Sequence, residues 1–160
     1  MNPAPIPLPP RLASRLSVDT AARIVGVGNA ALLGEALLGF LAPRQCPGQL
    51  LIATLDLVPQ WVREGRVLVS GFHAPLEQQV LHSHLRRAGR AVKVLARGFA
   101  ATYRPASPEE KQALAENRLL VLSAFPATVK RSTRETALQR NQLVHALASE
   151  VCEPTSFPRS

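Results

Sequence analysis

Short apolar runs followed directly by small or basic residues recur in this chain, and that arrangement lets a protein meet an anion. Val67-Leu68-Val69 leads into Ser70-Gly71, Ala91 to Leu95 leads into Ala96-Arg97-Gly98 with Arg104 beyond, and Leu37 to Leu41 leads into the loop Ala42 to Gly48, which carries Arg44. A small residue lets backbone N–H groups approach an anion, and a guanidinium offers planar, bidentate contact with phosphate. Each feature also has a plain alternative. Arg44 can be a solvated loop arginine, Ser70-Gly71 a simple strand-to-helix turn, and Arg97 with Arg104 ordinary surface charge.

Other chemistry is weaker. His73 and Glu77 can be drawn as an acid/base pair, but no nucleophile, metal cluster or second carboxylate accompanies them, and a histidine that caps a helix or bonds backbone is the simpler expectation. His82 and His84 are two apart on a helix and diverge, which disfavours a metal pair. Trp61, Tyr103 and Phe125 are too scattered for a stacking platform. Cys46 and Cys152 form no C-x-x-C pair, so neither a zinc site nor a disulfide framework is expected. Gly26-Val27-Gly28-Asn29-Ala30-Ala31 fits G-x-G-x-x-A, but its preceding strand is short and Gly48 stands near the place where a ribose-binding acid belongs.

The elements that must position these residues follow from periodicity. Leu37–Leu41, Val67–Val69, Ala91–Leu95 and Leu119–Leu122 read as buried strands. Between them, Leu51, Leu55, Val58 and Val62 give a helical stripe, with a kink or restart expected at Pro59, and Leu76, Val80, Leu81 and Leu85 give a second. Ser107-Pro108-Glu109-Glu110 signals a helix start, and Ser132-Thr133-Arg134-Glu135 reads as a capping box for a helix running through Ala148. Leu16 to Ala22 suggests a short helix and Arg23 to Gly28 a short strand or turn, while any strand at Val151-Cys152 is vestigial. Right-handed crossovers carry the strand ends to one edge, where open α/β sheets bind ligands.

The fold expected is therefore a single α/β, three-layer Rossmann-like domain over residues 16–151, with a mostly parallel sheet of about four strands. The prolines of residues 1–15 suggest a disordered tail, and residues 152–160 a flexible one. Among 160 residues, nineteen Lys and Arg against eleven Asp and Glu give a net charge of +8, mostly from arginine. That suits nucleic acid or a nucleotide, or else reflects a basic proteome. Arg86, Arg87, Arg90, Lys93, Arg97 and Arg104 fall in a stretch without acids, which predicts a local positive field. With no secretory signal and no long apolar span, the expectation is a cytoplasmic protein.

Several motifs together carry a family resemblance: Val69-Ser70-Gly71, the loop Arg44 to Gly48, the strand Arg118 to Ser123 entering Ser123-Ala124-Phe125-Pro126, and Arg140-Asn141. Over about Ile24 to Glu150 the chain resembles the DNA-processing protein A (DprA, also Smf) family, within the Rossmann-like LOG/SLOG superfamily. Arg44-Gln45-Cys46-Pro47-Gly48 and Ser70-Gly71-Phe72-His73 resemble a short branch of it. Two departures stand out: Ala42-Pro43 replaces the family's Gly-Ser, and the family's further strand, glycine-rich turn and helix after the Arg-Asn helix are missing. The second suggests a C-terminally truncated member with an exposed sheet edge beside its fourth strand. The Pro-Gly-Gly-x-Gly-Thr signature of LOG-type hydrolases is absent, so that activity is not inferred.

The resemblance implies a non-enzymatic DNA-binding protein without a cofactor, connected with DNA uptake and natural transformation. Such a protein holds single-stranded DNA and hands it to the recombinase RecA. On this reading Arg44, Arg97, Arg104 and Arg140 bind phosphates, Asn141 accompanies Arg140, and Ser70 and Gly71 shape the crevice. Two alternatives remain: a sensor for a nucleotide or other phosphate-bearing small molecule in the same crevice, and a degenerate, inactive relative prone to homo-oligomerise.

Overall fold

The four apolar runs all become strands of one sheet. The computed structural model describes residues 1–154. In chain order the elements are β1 (Ala4–Pro5), α1 (Pro10–Ala13), α2 (Val18–Arg23), β2 (Val25–Gly28), a 3-10 turn (Ala30–Gly34), β3 (Leu37–Phe40), α3 (Gly48–Arg63) and β4 (Val67–Ser70). They continue with α4 (Pro75–Arg86), β5 (Arg90–Val94), α5 (Pro108–Ala115), β6 (Leu119–Ser123), α6 (Arg134–Leu147) and β7 (Glu150–Cys152).

The sheet has seven strands in the order β1-β2-β6-β5-β4-β3-β7. β6, β5, β4, β3 and β7 run parallel, and β2 with β1 continues the sheet antiparallel beyond β6. Side chains alternate across it. Leu38, Phe40, Leu68, Ala91 and Val121 pack in one core with Val58, Trp61, Val80, Leu81 and Leu114 of α3, α4 and α5. Leu37, Val67, Val69, Val92, Val94 and Leu120 join Leu143, Val144 and Leu147 of α6 in a second core. The result is the expected three-layer α/β arrangement.

Four details depart from the sequence reading. First, the sheet is wider than about four strands, because short edge strands take their hydrogen bonds from partners rather than from their own apolar pattern. β6 has no exposed edge: Val25 to Gly28 pairs with Leu120 to Ser123. Second, Gly26 and Gly28 belong to this pairing and not to a dinucleotide turn. A Cβ at either would collide with a carbonyl of β6 (Val121 or Leu119), and Gly28 has φ 104°. Third, the proline-rich N-terminus is tied to the domain. The Ile6 amide donates to the Ile24 carbonyl at 3.0 Å, the Tyr103 amide donates to the Met1 carbonyl at 2.8 Å, and Leu12 is fully buried. Of the expected C-terminal tail, Cys152 ends β7 and residues 155–160 lie outside the described residues. Fourth, α3 runs unbroken through Pro59, with no restart at Gln60. The α6 cap is Thr133 rather than Ser132, and its box closes on Thr136: the Thr136 amide donates to Thr133 Oγ1 at 3.1 Å, and the Thr133 amide to Thr136 Oγ1 at 2.8 Å.

Candidate functional site

The parallel strands deliver their carboxyl ends to one edge, where a cleft of about 280 Å³ opens. Gly71, His73, Lys93, Arg97, Glu110 and Arg140 are among its lining residues. Two serines shape the strand ends. Ser70 is fully buried, and its Oγ accepts from the Phe72 amide at 3.0 Å; Phe72 has φ 49°. Ser123 does the same for the Phe125 amide at 3.0 Å, and its hydroxyl donates to the Arg97 carbonyl at 2.6 Å. The Gly98 amide donates to the Val129 carbonyl at 2.8 Å, fastening the loop after β5 to the loop before α6.

Arg140 is the dominant cation. It is 6% exposed, and no carboxylate forms an ion pair with it among the described residues. Its Nε donates to Asn141 Oδ1 at 2.8 Å. The guanidinium lies against the Gly71 backbone, in space that any Cβ at Gly71 would occupy. Burial lowers its pKa, and the Glu77 carboxylate opposes that shift. A buried guanidinium at a cleft wall, in no ion pair among the described residues and only partly compensated by the Glu77 carboxylate, can gain strongly from an incoming anion.

The other basic positions separate into paired and free. Lys93, facing Ser70 across the β4–β5 ladder, bonds Glu110 at 2.6 Å. Glu110 also accepts from the Tyr103 hydroxyl at 2.6 Å and the Ala106 amide at 3.2 Å. Burial pushes the Glu110 pKa up, but Lys93 and these hydrogen bonds outweigh it and leave the carboxyl below its usual value. Arg86 pairs with Glu109 at 3.3 Å, and Arg90 pairs with Glu35. Half of the basic run from Arg86 to Arg104 is thereby neutralised by acids distant in sequence. Arg97 is half-buried in the cleft lining, whereas Arg44 and Arg104 are exposed on loops outside it. Asn141 is half-buried and holds Arg140 rather than facing the cleft itself.

Glu77 is a structural carboxylate and not half of an acid/base pair. Its Oε1 accepts from the His73 amide at 3.0 Å and the Ala74 amide at 3.2 Å, and its Oε2 accepts from the Ala42 amide at 3.0 Å. It therefore ties the loop after β3 to the start of α4. Sequence reasoning passed over Lys130, Arg131 and Arg134, exposed residues around Ser132, which lines the cleft. The signal in the sequence is three cations within five residues, overlapping the capping motif at Ser132-Thr133-Arg134-Glu135. No group of histidine, cysteine or acidic residues suited to a metal occurs among the described residues. Nor is any of their helices long and apolar enough to cross a membrane.

A mostly parallel sheet with helices on both faces and a cleft at its carboxyl edge defines a Rossmann-like α/β domain. The model of the DNA recombination-mediator protein A family matches residues 9–152, and the chain belongs to that family. Among solved structures it resembles DNA processing protein A from Streptococcus pneumoniae, with a TM-score of 0.69 and 21% identity over 91% of this chain. It also resembles the Helicobacter pylori protein, whose structure is described as giving insights into its single-stranded DNA binding mode, with a TM-score of 0.71 and 19% identity over 96% of this chain. The chain spans 50% of the pneumococcal protein and 71% of the Helicobacter one. No curated protein matches it significantly.

Proposed function

We propose that this protein binds single-stranded DNA at the carboxyl edge of its sheet, by binding rather than catalysis. The observation that carries this reading is Arg140: a buried guanidinium, in no ion pair among the described residues, set on Gly71 at the wall of a cleft. Arg97 adds a second phosphate contact from the lining. Lys130, Arg131 and Arg134 supply a basic rim, Arg44 and Arg104 extend the field from outer loops, and Ser70 and Asn141 hold Gly71 and Arg140 in place. Family membership and the description of the Helicobacter protein support DNA as the ligand. Passing the strand to the recombinase RecA, in the setting of DNA uptake, belongs to the same proposal and rests on the family's description as recombination mediators.

Fluorescence anisotropy of a labelled oligothymidylate across a salt series tests it. Each phosphate contact on a single strand contributes about 0.7 to the slope of log affinity against log salt. Arg97→Gln and Arg140→Gln each reduce that slope by roughly this amount, whereas Arg86→Gln, whose charge is engaged by Glu109, leaves it unchanged. Equal behaviour of all three variants, or no binding at low salt, overturns the reading. Thermal stabilisation by a mononucleotide without oligonucleotide binding would instead identify a nucleotide sensor.

A further inference from the structure

Beyond Arg140 lies a second cleft, of about 520 Å³, between α2, α6 and the segment that follows β6. Arg140 is the one residue common to the linings of both clefts. The loop before α6 also spans them, giving Phe125 and Pro126 to the second and Ser132 to the first.

The chemistry of the two differs. The first is a polar anion pocket. The second offers the half-buried ring of Phe125, the exposed amides of Gln139 and Gln142, and the exposed guanidinium of Arg23. Neither amide makes a side-chain hydrogen bond to a described residue, and no acidic side chain lines the cleft. An aromatic face beside solvent-facing donors and acceptors free of protein partners among the described residues is what a nucleobase requires, since every base has a π-face and a hydrogen-bonding edge.

Building on the strand-binding reading, we infer that the second cleft is a nucleobase subsite. It takes a base of the same single strand whose phosphate rests on Arg140, stacked on Phe125 with its edge toward Gln139 and Gln142. The strand thus crosses the carboxyl edge of the sheet with Arg140 at the crossing, and reaches both sides of α6. Arg140 fixes the backbone at that point, and Phe125 supplies sequence-tolerant affinity.

The test uses the full chain and two labelled oligomers of equal length and charge: an oligothymidylate and a strand of abasic residues. Phe125→Ala weakens oligothymidylate binding about tenfold, leaves the abasic strand unaffected and preserves the salt slope. The double variant Gln139→Ala with Gln142→Ala lies on an exposed helix face and tests the site without disturbing a packed ring. It narrows the differences in affinity among homopolymers of different bases. Losses equal on both strands, or absent from both variants, overturn the subsite while leaving strand binding intact. Failure of the unaltered protein to bind either oligomer overturns the strand-binding reading, and the subsite with it.

Discussion

Gly71 and Arg140 constrain each other from elements far apart in the chain, the end of β4 and the middle of α6. The glycine makes room for a guanidinium, and the guanidinium occupies the space that a methyl group would take. Gly71→Ala therefore displaces Arg140 from the cleft wall. Oligonucleotide affinity falls about tenfold, in line with losing one charge-assisted contact, while the melting temperature moves little. In an Arg140→Gln background the same substitution adds nothing further, and a double-mutant cycle of binding energies measures that coupling. Additive losses would mean that Gly71 acts through its own amide instead. Both residues could be singled out from sequence, Gly71 from its place behind an apolar run and Arg140 through the family resemblance. Their contact could not, because nothing in the periodicity of α6 reveals which turn faces the end of β4. Arg44 and Arg104 illustrate the converse: being near a strand end in sequence does not bring a long loop's side chain into the cleft.

At the scale of elements, the cleft depends on the loop after β3 and the start of α4 keeping their mutual position, and Glu77 supplies that tie. Its carboxylate satisfies three amides, from Ala42, His73 and Ala74. Glu77→Gln keeps the shape but loses the charge and one acceptor, at a cost of about 2 kcal/mol for weakened charged hydrogen bonds. A drop of roughly 4–8 °C in melting temperature is expected for a chain of this size, readable by calorimetry. No change would show that water replaces the carboxylate without loss. The core strands β3 to β6 and the long helices were legible because each buries a face wide enough to impose a period. The strands at the edges were legible only in part: Arg23 to Gly28 reads as a strand or turn and Val151-Cys152 as a vestigial strand, whereas Ala4–Pro5 falls in a proline-rich tail. β1, β2 and β7 are two to four residues long and owe their conformation to a neighbour's backbone. The glycines of β2 reproduced a nucleotide-binding pattern for a different physical reason, the close approach of β6.

Across the whole molecule, stability and binding charge are held in separate places. Arg86, Arg90 and Lys93 are held in ion pairs, of which only the Lys93–Glu110 pair is buried, and the proposed site draws on cations outside those pairs. One titrating group lies wholly within the structural part. His84 is fully buried on α4, and its Nε2 faces the Arg90 carbonyl at 3.0 Å, so that nitrogen carries the hydrogen. Its Nδ1 meets no partner within hydrogen-bond geometry among the described residues. Burial is the main reason its pKa falls from 6.5 to about 4; the Arg118 and Arg90 guanidiniums push the same way, and backbone carbonyls of Arg90 and Arg66 oppose them. A depressed histidine pKa means that the unfolded chain binds the proton first. The stability contribution is complete above pH 6.5 and is lost as pH falls toward 4. By about pH 5 the loss is roughly 2 kcal/mol, above the range in which the lowered carboxyl groups of Glu109, Glu110 and Glu116 begin to take up protons. Denaturant unfolding at a series of pH values should therefore show a decline between pH 6.5 and 5 that is flattened in His84→Gln, whose amide can still donate to the Arg90 carbonyl. An equally steep decline in that variant would place the titrating group elsewhere. At fixed salt and pH the His84→Gln variant should bind oligonucleotide as the unaltered protein does, because His84 lies outside both clefts.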